Sequence, residues 1–161
     1  MKRSSVSYLD NLCRPLICLA FPALITTPVL AHQVQVSGDV AATFHIEPNH
    51  NPKVGEPAQA WFTLTRRGGQ LLPLAQCNCQ LAVYFVPRAK NAVPLMKPAL
   101  KATNTEQYKQ IPGTEITFNK AGAYELELTG APKAGASFKP FKLTYTVTAS
   151  GSKTATATDH H

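Results

Sequence analysis

The stretch from Ile116 to Thr129, ITFNKAGAYELELT, limits the possible folds of this chain more than any other stretch. Apolar and polar residues alternate from Ile116 to Asn119 and again from Ala123 to Leu128, on either side of a break that contains Gly122. A period of two on both sides of a glycine predicts two strands that each bury one face. The order Gly-x-Tyr at such a corner is typical of antiparallel sandwiches, in which the tyrosine hydroxyl bonds to nearby backbone. We therefore predict that Tyr124 is buried and that its hydroxyl is hydrogen-bonded.

The same alternation recurs along the chain and predicts a domain built from strands. Short runs of turn-forming residues separate the alternating segments, and no segment has a clear helical period. About seven strands in about 118 residues match the spacing of a two-sheet sandwich. We predict an all-β domain over residues 32–149, folded as a single immunoglobulin-like antiparallel β-sandwich. Its segments are Val40–Glu47, Ala58–Thr65, Gln80–Val86, the two around Gly122 and Phe141–Thr148, with a short edge strand or helical turn near Thr105–Tyr108.

Both ends of the chain differ in composition from the predicted domain. A basic leading region that includes Arg14 is followed by the apolar stretch Pro15–Leu30, and Ala31 fits the small-residue rule at a cleavage site. The stretch is short for a membrane span and contains two internal prolines. We predict a signal peptide over residues 1–31, cleaved after Ala31, and hence an extracytoplasmic, periplasmic protein. Residues 150–161 have no apolar face, which predicts a disordered tail.

The charge of the chain gives no support to nucleic-acid binding. Removal of residues 1–31 takes away three bases and one acid, which lowers the formal net charge from +7 to +5. The remaining bases are scattered, and no run of Lys and Arg is interleaved with aromatic residues. We predict that the protein binds no nucleic acid and meets the membrane only through its signal peptide.

The sequence also lacks the motifs of common catalytic sites. A nucleophile, a base and an orienting acid must lie within hydrogen-bond reach for nucleophilic catalysis. The chain has no Gly-x-Ser-x-Gly elbow, no phosphate-binding loop and no His-Glu-x-x-His run. Glu125 and Glu127 fall on the outward positions of their strand, where we expect them to be solvated. The predicted function is therefore non-enzymatic.

Three histidines and one carboxylate are candidate metal ligands. After cleavage, His32 would offer both its amine and its ring to Cu(II). His45 and Glu47 share the outward face of one strand, and His50 lies in the loop that follows. Imidazole and carboxylate groups suit hard and borderline metal ions, so these three residues could form one site. The alternative is that these side chains are simply solvated.

Cys77 and Cys79 are the two cysteines that remain after the predicted cleavage. Residues i and i+2 of a regular strand lie about 6.5–7 Å apart, whereas the Cβ atoms of a disulfide approach to about 3.8 Å. Either the chain bends at Asn78 and closes a disulfide, or the thiols stay free. Free thiolates would be soft ligands for Cu(I) or zinc. The sequence leaves both alternatives open.

Three segments carry a family resemblance: Ala31-His32, Phe118–Tyr124 and the closing strand Phe141–Val147. Together they resemble small extracytoplasmic sandwich proteins of bacteria, of the YtkA-like and CopC-like families. CopC-like proteins bind copper through a mature N-terminal histidine together with downstream His and Asp residues. The resemblance implies a copper-binding sandwich with His32 as a ligand, although the downstream motif of that family has no match in this chain.

Two functions follow from these patterns. The first is an exported, non-enzymatic sandwich protein that binds copper or another transition metal in the periplasm. Its candidate ligands are His32, His45, Glu47, His50, Cys77 and Cys79. The second is a metal-free interaction or accessory module that binds a protein partner in the cell envelope. The fold alone does not choose between them, because function depends on the site.

Overall fold

The computed structural model of the protein describes residues 33–151, so the predicted signal peptide, His32 and residues 152–161 lie outside the described part. Residues 33–151 form eight strands and one short 3₁₀ helix, and they include no helix long and apolar enough to cross a membrane. The strands are β1 (Gln33–Ser37), β2 (Val40–Ile46), β3 (Pro57–Arg66), β4 (Cys77–Phe85), β5 (Lys101–Thr103), β6 (Ile111–Thr117), β7 (Gly122–Pro132) and β8 (Phe141–Ala149), and the 3₁₀ helix is Leu74–Gln76.

The strands form two antiparallel sheets, which confirms the predicted all-β sandwich. One sheet has five strands in the order β1-β2-β3-β6-β5, and the other has three in the order β4-β7-β8. β1 was not among the predicted strands; Gln33–Val36 alternate polar and apolar residues, but all four are exposed, so this short alternation does not correspond to a buried face. β6 begins as early as Ile111, since its ladder passes through Pro112 and Gly113, which normally indicate a break. The short edge strand or helical turn expected near Thr105–Tyr108 is a loop, and the edge strand of this sheet, β5, lies just before it at Lys101–Thr103.

The core lies between the two sheets. In β2 and β8 every second residue is buried, as the alternation predicts. The rings of Phe44, Phe62 and Tyr145 meet across the interface, with centroids 5.1–5.8 Å apart. The Tyr145 hydroxyl donates a 3.0 Å hydrogen bond to the Ala42 carbonyl, which ties the three-stranded sheet to the five-stranded one. Burial raises the pKa of the Tyr145 hydroxyl, so this donor keeps its proton well into alkaline solution.

The corner that leads into β7 has the predicted structure. Tyr124 is 2% exposed, and its hydroxyl donates a 2.7 Å hydrogen bond to the Lys120 carbonyl. Its ring contacts those of Phe118 and Phe85, with centroid distances of 4.7 and 5.1 Å. Gly122 has a φ of +141°, and a Cβ at this position would lie 2.7 Å from the Phe85 ring. Glycine is therefore required here both by the backbone conformation and by the close approach of Phe85.

Candidate functional site

The outer face of the five-stranded sheet carries a groove beside the predicted metal ligands. Outward residues of β2 and β3 form its floor, and the loop after β5 forms one wall. Its volume of about 910 Å³ is near the upper end of the range for small-molecule sites, about 300–1,000 Å³. We call this surface the outer groove; it is lined by Val34, Thr43, His45, Glu47, residues 59–61, Thr63 and residues 103–108.

Trp61 and His45 lie side by side on the floor of the outer groove. They are ladder partners on β3 and β2, and their rings stack with centroids 5.3 Å apart and an interplanar angle of 5°. His50 follows a tight loop after β2, held by a 2.9 Å hydrogen bond from its backbone N–H to the Ile46 carbonyl. Its ring centroid lies 5.8 Å from that of His45. The fold therefore brings together two of the predicted metal ligands, His45 and His50.

Gly113 leaves room for the loop wall. It pairs with Trp61 of β3 on one side and with Lys101 of β5 on the other. A Cβ at Gly113 would lie 2.7 Å from the Cβ of Thr103 and would also clash with its hydroxyl, so the Thr103 side chain occupies that space. β5 and the loop that follows can therefore close against the sheet beside Trp61. The sequence did not reveal this role, because a glycine inside a strand pattern usually indicates a bulge or a break.

The loop wall is held in place by its own hydrogen bonds. The Asn104 side-chain oxygen accepts a 2.8 Å bond from the backbone N–H of Gln110. The backbone N–H of Thr105 donates to the Tyr108 carbonyl at 2.8 Å, and the Thr105 hydroxyl accepts a 3.0 Å bond from the backbone N–H of Tyr108. These hydrogen bonds pair polar groups of the loop that would otherwise need water as their partner. The loop therefore presents Tyr108 and its neighbours to the groove in one arrangement.

The predicted metal ligands within residues 33–151 lie in two separate parts of the fold. Cys77 and Cys79 belong to β4 of the three-stranded sheet, whereas His45 and His50 lie at the end of β2 in the other sheet. Glu47 lines the outer groove. Among residues 33–151, no group of three or more His, Cys, Asp or Glu side chains is arranged to hold a metal ion. The described residues offer a pair of imidazoles, and the predicted ligand His32 lies outside them.

Cys77 and Cys79 are joined in a disulfide. Their Cα atoms are 5.1 Å apart, closer than the roughly 6.5–7 Å of a regular strand, so the chain contracts at Asn78. This is the bent alternative that the spacing left open. Cys77 is fully buried and Cys79 is half-buried. Neither sulfur is a thiolate in this state, and the pair cannot act as a soft metal ligand without prior reduction.

Removal of this disulfide is expected to change stability little. A cross-link acts mainly by restricting the unfolded chain, and a link that closes over one residue restricts it least. We expect the double variant C77A/C79A to lose about 2 kcal/mol or less of its free energy of unfolding. Urea melts of the oxidised protein, the reduced protein and the variant measure this. A loss above about 4 kcal/mol, the size expected for a long loop, would show instead that the bridge holds the fold together.

The outer face of the three-stranded sheet is not the solvated face predicted for Glu125 and Glu127. Arg88, from the segment after β4, lies across β7 with its Nε 2.8 Å from Glu125 and its Nη2 2.9 Å from Glu127. The guanidinium also stacks on Tyr84, 3.9 Å from the ring centroid. Glu127 is only 8% exposed and also meets Lys142 at 3.2 Å. The prediction was wrong because the alternation of residues shows only that these side chains point outward. Whether the outward face is then covered depends on a segment distant in sequence, here the one after β4.

Acid is expected to weaken this network through Glu127. Burial raises the pKa of the Glu127 carboxyl, but hydrogen bonds and charges from Arg88 and Lys142 outweigh burial and leave the pKa below its ordinary value. A carboxylate of lowered pKa stabilises the folded state above about pH 4.5, and this contribution is lost as the pH falls further. We expect Glu127→Gln to cost about 2 kcal/mol at neutral pH and to flatten the acid dependence. Urea melts at several pH values measure the stability loss and its acid dependence, with the exposed Glu56→Gln variant as control. Equal acid dependence in the two variants would contradict the prediction.

Sequence reasoning identified the two histidines but missed the groove in which one of them lies. The groove depends on a loop, on Gly113 and on side chains from four strands, and no single segment contains it. The available signals were an outward tryptophan, Trp61, and the polar run Thr103–Gln107. Each is common on strand faces and loops, so neither was sufficient alone.

Comparisons with known proteins bear on the fold alone. No family model matches the chain, and no curated protein matches it in sequence. Among solved structures, FetP of uropathogenic E. coli strain F11 superimposes with a TM-score of 0.52 at 11% identity, over 73% of this chain and 93% of FetP. A DUF4426 family protein of Pseudomonas aeruginosa PAO1 gives 0.48 at 9% identity, over 72% of this chain and 94% of its own. The YtkA-like and CopC-like resemblance is not confirmed. The protein shares the β-sandwich fold of FetP, and its function must be argued from its own site.

Proposed function

We propose that this protein is an exported, non-enzymatic β-sandwich protein that binds copper(II) at the end of β2, through His45 and His50. The observation that carries the proposal is the 5.8 Å separation of the two ring centroids. Bonds from a metal ion to imidazole nitrogen are about 2.0–2.1 Å long, so two rings that share one ion have centroids about 4.5–6.3 Å apart. Imidazole is also a ligand that suits Cu(II).

His32 is the proposed third residue of this site. It directly precedes Gln33, and Gln33 is the ladder partner of Phe44, the residue before His45. A mature chain that begins at His32 would carry an amine and an imidazole, both nitrogen donors that suit Cu(II). In this proposal the ion is held by nitrogen atoms, and the Cys77–Cys79 disulfide takes no part.

An oxidising compartment is consistent with this proposal. The predicted signal peptide directs export, and a disulfide between Cys77 and Cys79 is typical of proteins outside the cytoplasm. FetP, which has the same fold, was expressed in the periplasm of E. coli. These observations support the periplasm as the compartment of the proposed activity.

Titration with Cu(II) tests the proposal with Trp61 as the reporter. Trp61 is the single tryptophan of the chain and stacks on His45, so a paramagnetic ion bound at His45 should quench its fluorescence. The protein should be exported, untagged and carry alanine at His160 and His161, which removes the histidines of the tail. We expect quenching that saturates at one equivalent, and roughly tenfold or greater weakening by His45→Ala or His50→Ala.

A second comparison isolates His32. One additional residue before His32 moves the amine away from its ring, and we expect this extension to weaken Cu(II) binding as well. Quenching that survives both His45→Ala and His50→Ala would overturn the copper site. An exported protein whose intact mass still includes residues 1–31 would overturn the role of His32.

The alternative, an interaction module for an envelope protein partner, is favoured by a different feature, the edge of β1. Val34 and Val36 are 59% and 68% exposed, and β1 pairs only with β2 among the described strands. Its five residues contain no charge and no proline, the usual protections of an edge strand. The β4 edge, in contrast, is covered, because Val83 exchanges backbone hydrogen bonds with the segment at Met96. A partner could therefore extend the sheet by adding a strand to β1.

Site-specific photo-crosslinking in the periplasm tests this alternative. A photoreactive residue at position 35, in the middle of β1, should give one discrete adduct if a partner strand lies beside it. The change Val36→Lys should abolish the adduct, because a charge on the edge opposes strand addition. A photoreactive residue at the exposed position 56 is the matched control. Equal adducts at both positions, or an adduct insensitive to Val36→Lys, would exclude strand addition at β1.

A further inference from the structure

We propose that the outer groove binds a neutral carbohydrate, independently of any metal ion at His45 and His50. The proposal goes beyond the copper site, because it concerns the floor and the loop wall of the groove. Three features carry it: the absence of basic lining residues, the kind of hydrogen-bonding groups, and the setting of Trp61 and Thr63.

The charge of the groove excludes anionic ligands. Its lining contains no Lys or Arg, although the chain has 16 of these residues. Two carboxylates, Glu47 and Glu106, line it instead. A phosphate, a sulfate or a nucleic acid would meet these carboxylates, and the nearest ammonium group on the loop wall, that of Lys109, is already bonded to the Thr105 carbonyl at 3.1 Å. The groove therefore favours a neutral or a cationic ligand.

Uncharged hydrogen-bonding groups outnumber the carboxylates and favour a neutral ligand. A hydroxyl both donates and accepts, and a primary amide offers two donors and an acceptor. Such a surface matches a ligand with many hydroxyls, whereas a cation is better served by several carboxylates or by a cage of aromatic faces. The uncharged groups include the hydroxyls of Thr43, Thr63 and Tyr108 and the amide of Gln107.

Trp61 supplies the flat apolar surface that a sugar ring requires. Its half-buried indole lines the groove with one face against His45, so a sugar would stack on the opposite face. The face of an aromatic ring carries the negative part of its quadrupole, and the C–H bonds on one face of a sugar direct positive hydrogen atoms toward it. The parallel stack with His45 holds the indole in one orientation. Less conformational entropy is then lost when a ligand binds.

Thr63 indicates that this ligand is polar. The residue is 5% exposed on the groove floor, and its buried hydroxyl has no hydrogen-bond partner within residues 33–151. A buried hydroxyl without a partner is unfavourable and calls for an explanation such as a ligand or a bound water. Rotation about χ1 exchanges the hydroxyl and the methyl group of a threonine. The Thr63 hydroxyl can therefore rotate toward the groove and hydrogen-bond to a ligand there.

Binding can be measured through Trp61 in the presence of EDTA, which removes any contribution of a metal site. The probes are four neutral trisaccharides, namely cellotriose, maltotriose, mannotriose and chitotriose, with choline as a cationic probe. We expect at least one trisaccharide to shift the emission of Trp61 saturably at millimolar concentration, and choline to have no effect. No shift with any trisaccharide, or a response to choline alone, would overturn the proposal.

Thr63→Val separates a ligand-binding role from a structural one. Valine keeps the shape of threonine but removes the unpartnered hydroxyl, so we expect an unchanged or higher melting temperature. The affinity for the trisaccharide, measured by calorimetry, should fall roughly tenfold. Thr65→Val is the matched control, because Thr65 follows on the same face of β3 but lies outside the groove lining. It should leave the affinity unchanged.

The outcomes distinguish this proposal from the copper site. Trisaccharide binding that persists in His50→Ala with EDTA present supports the groove, whatever happens to Cu(II). Wild-type affinity in Thr63→Val, or an equal loss in Thr65→Val, contradicts the role of the groove floor. Loss of Cu(II) binding alone leaves the carbohydrate proposal intact.

Discussion

Replacement of Tyr124 by alanine should lower the free energy of unfolding by about 3–5 kcal/mol. The side chain is 2% exposed and packs between the rings of Phe118 and Phe85. Truncation leaves a cavity between these two rings. It also leaves the Lys120 carbonyl without its hydrogen-bond donor. Urea unfolding of the mature protein, followed by circular dichroism, measures the loss.

Tyr124→Phe separates the two contributions. It keeps the ring and removes only the 2.7 Å hydrogen bond to Lys120, so we expect a loss of about 1 kcal/mol. An alanine variant as stable as the wild type would show that the corner does not hold the two strands together. A phenylalanine variant as unstable as the alanine variant would place the effect in the hydrogen bond and not in the packing.

Gly130→Val should destabilise the protein by about 3 kcal/mol or more, through overpacking. Gly130 lies on the inward face of β7, opposite Cys79 on one side and Phe141 on the other. A Cβ at this position would lie 2.8 Å from the sulfur of Cys77 and would clash with the Phe141 ring. The ring is buried and the sulfur is fixed by the disulfide, so neither can move away cheaply.

Gly130→Ala tests the same contact with a smaller group, and its expected cost is about 1–3 kcal/mol. Gly151→Ala is the control, since a Cβ at Gly151 would meet no atom within 4 Å. Thermal melts of the three variants should rank valine below alanine and alanine below the control. Equal stability of all three variants would show that the Phe141 ring can move aside and that the close packing at Gly130 does not contribute to stability.

The sheets could be predicted from the sequence wherever a strand buries one face. In β2 the alternation of Val40, Ala42, Phe44 and Ile46 with outward residues matches the burial residue by residue. The corner at Tyr124 was also predictable, because a glycine and a tyrosine at this spacing indicate a particular local backbone conformation. In contrast, the alternation in β1 covers only four residues and its valines are exposed, and β6 passes through Pro112 and Gly113, so neither strand could be predicted in full from local patterns.

The site could be predicted only in part, for a different physical reason. His45 and His50 are close in sequence, and their proximity follows from one tight loop. Arg88 is 39 residues from Glu127, and the loop wall meets Trp61 only because β6 lies between β3 and β5. Such contacts depend on topology, which periodicity does not encode. The disulfide stayed undecided in the sequence because it depends on a local contraction of β4 at Asn78.

The exposure of β1 has a consequence for how the groove opens. Hydrogen exchange measures the free energy of local opening, and strands with few buried contacts open at the lowest cost. Residues Gln33–Val36 are exposed and are held by the ladder to β2, so this strand should exchange faster than β7 or β8, which lie in the core. Val34 borders the outer groove, and fraying of β1 therefore widens the groove from one side. We therefore expect this edge to be the side of the groove that adapts most readily to a ligand.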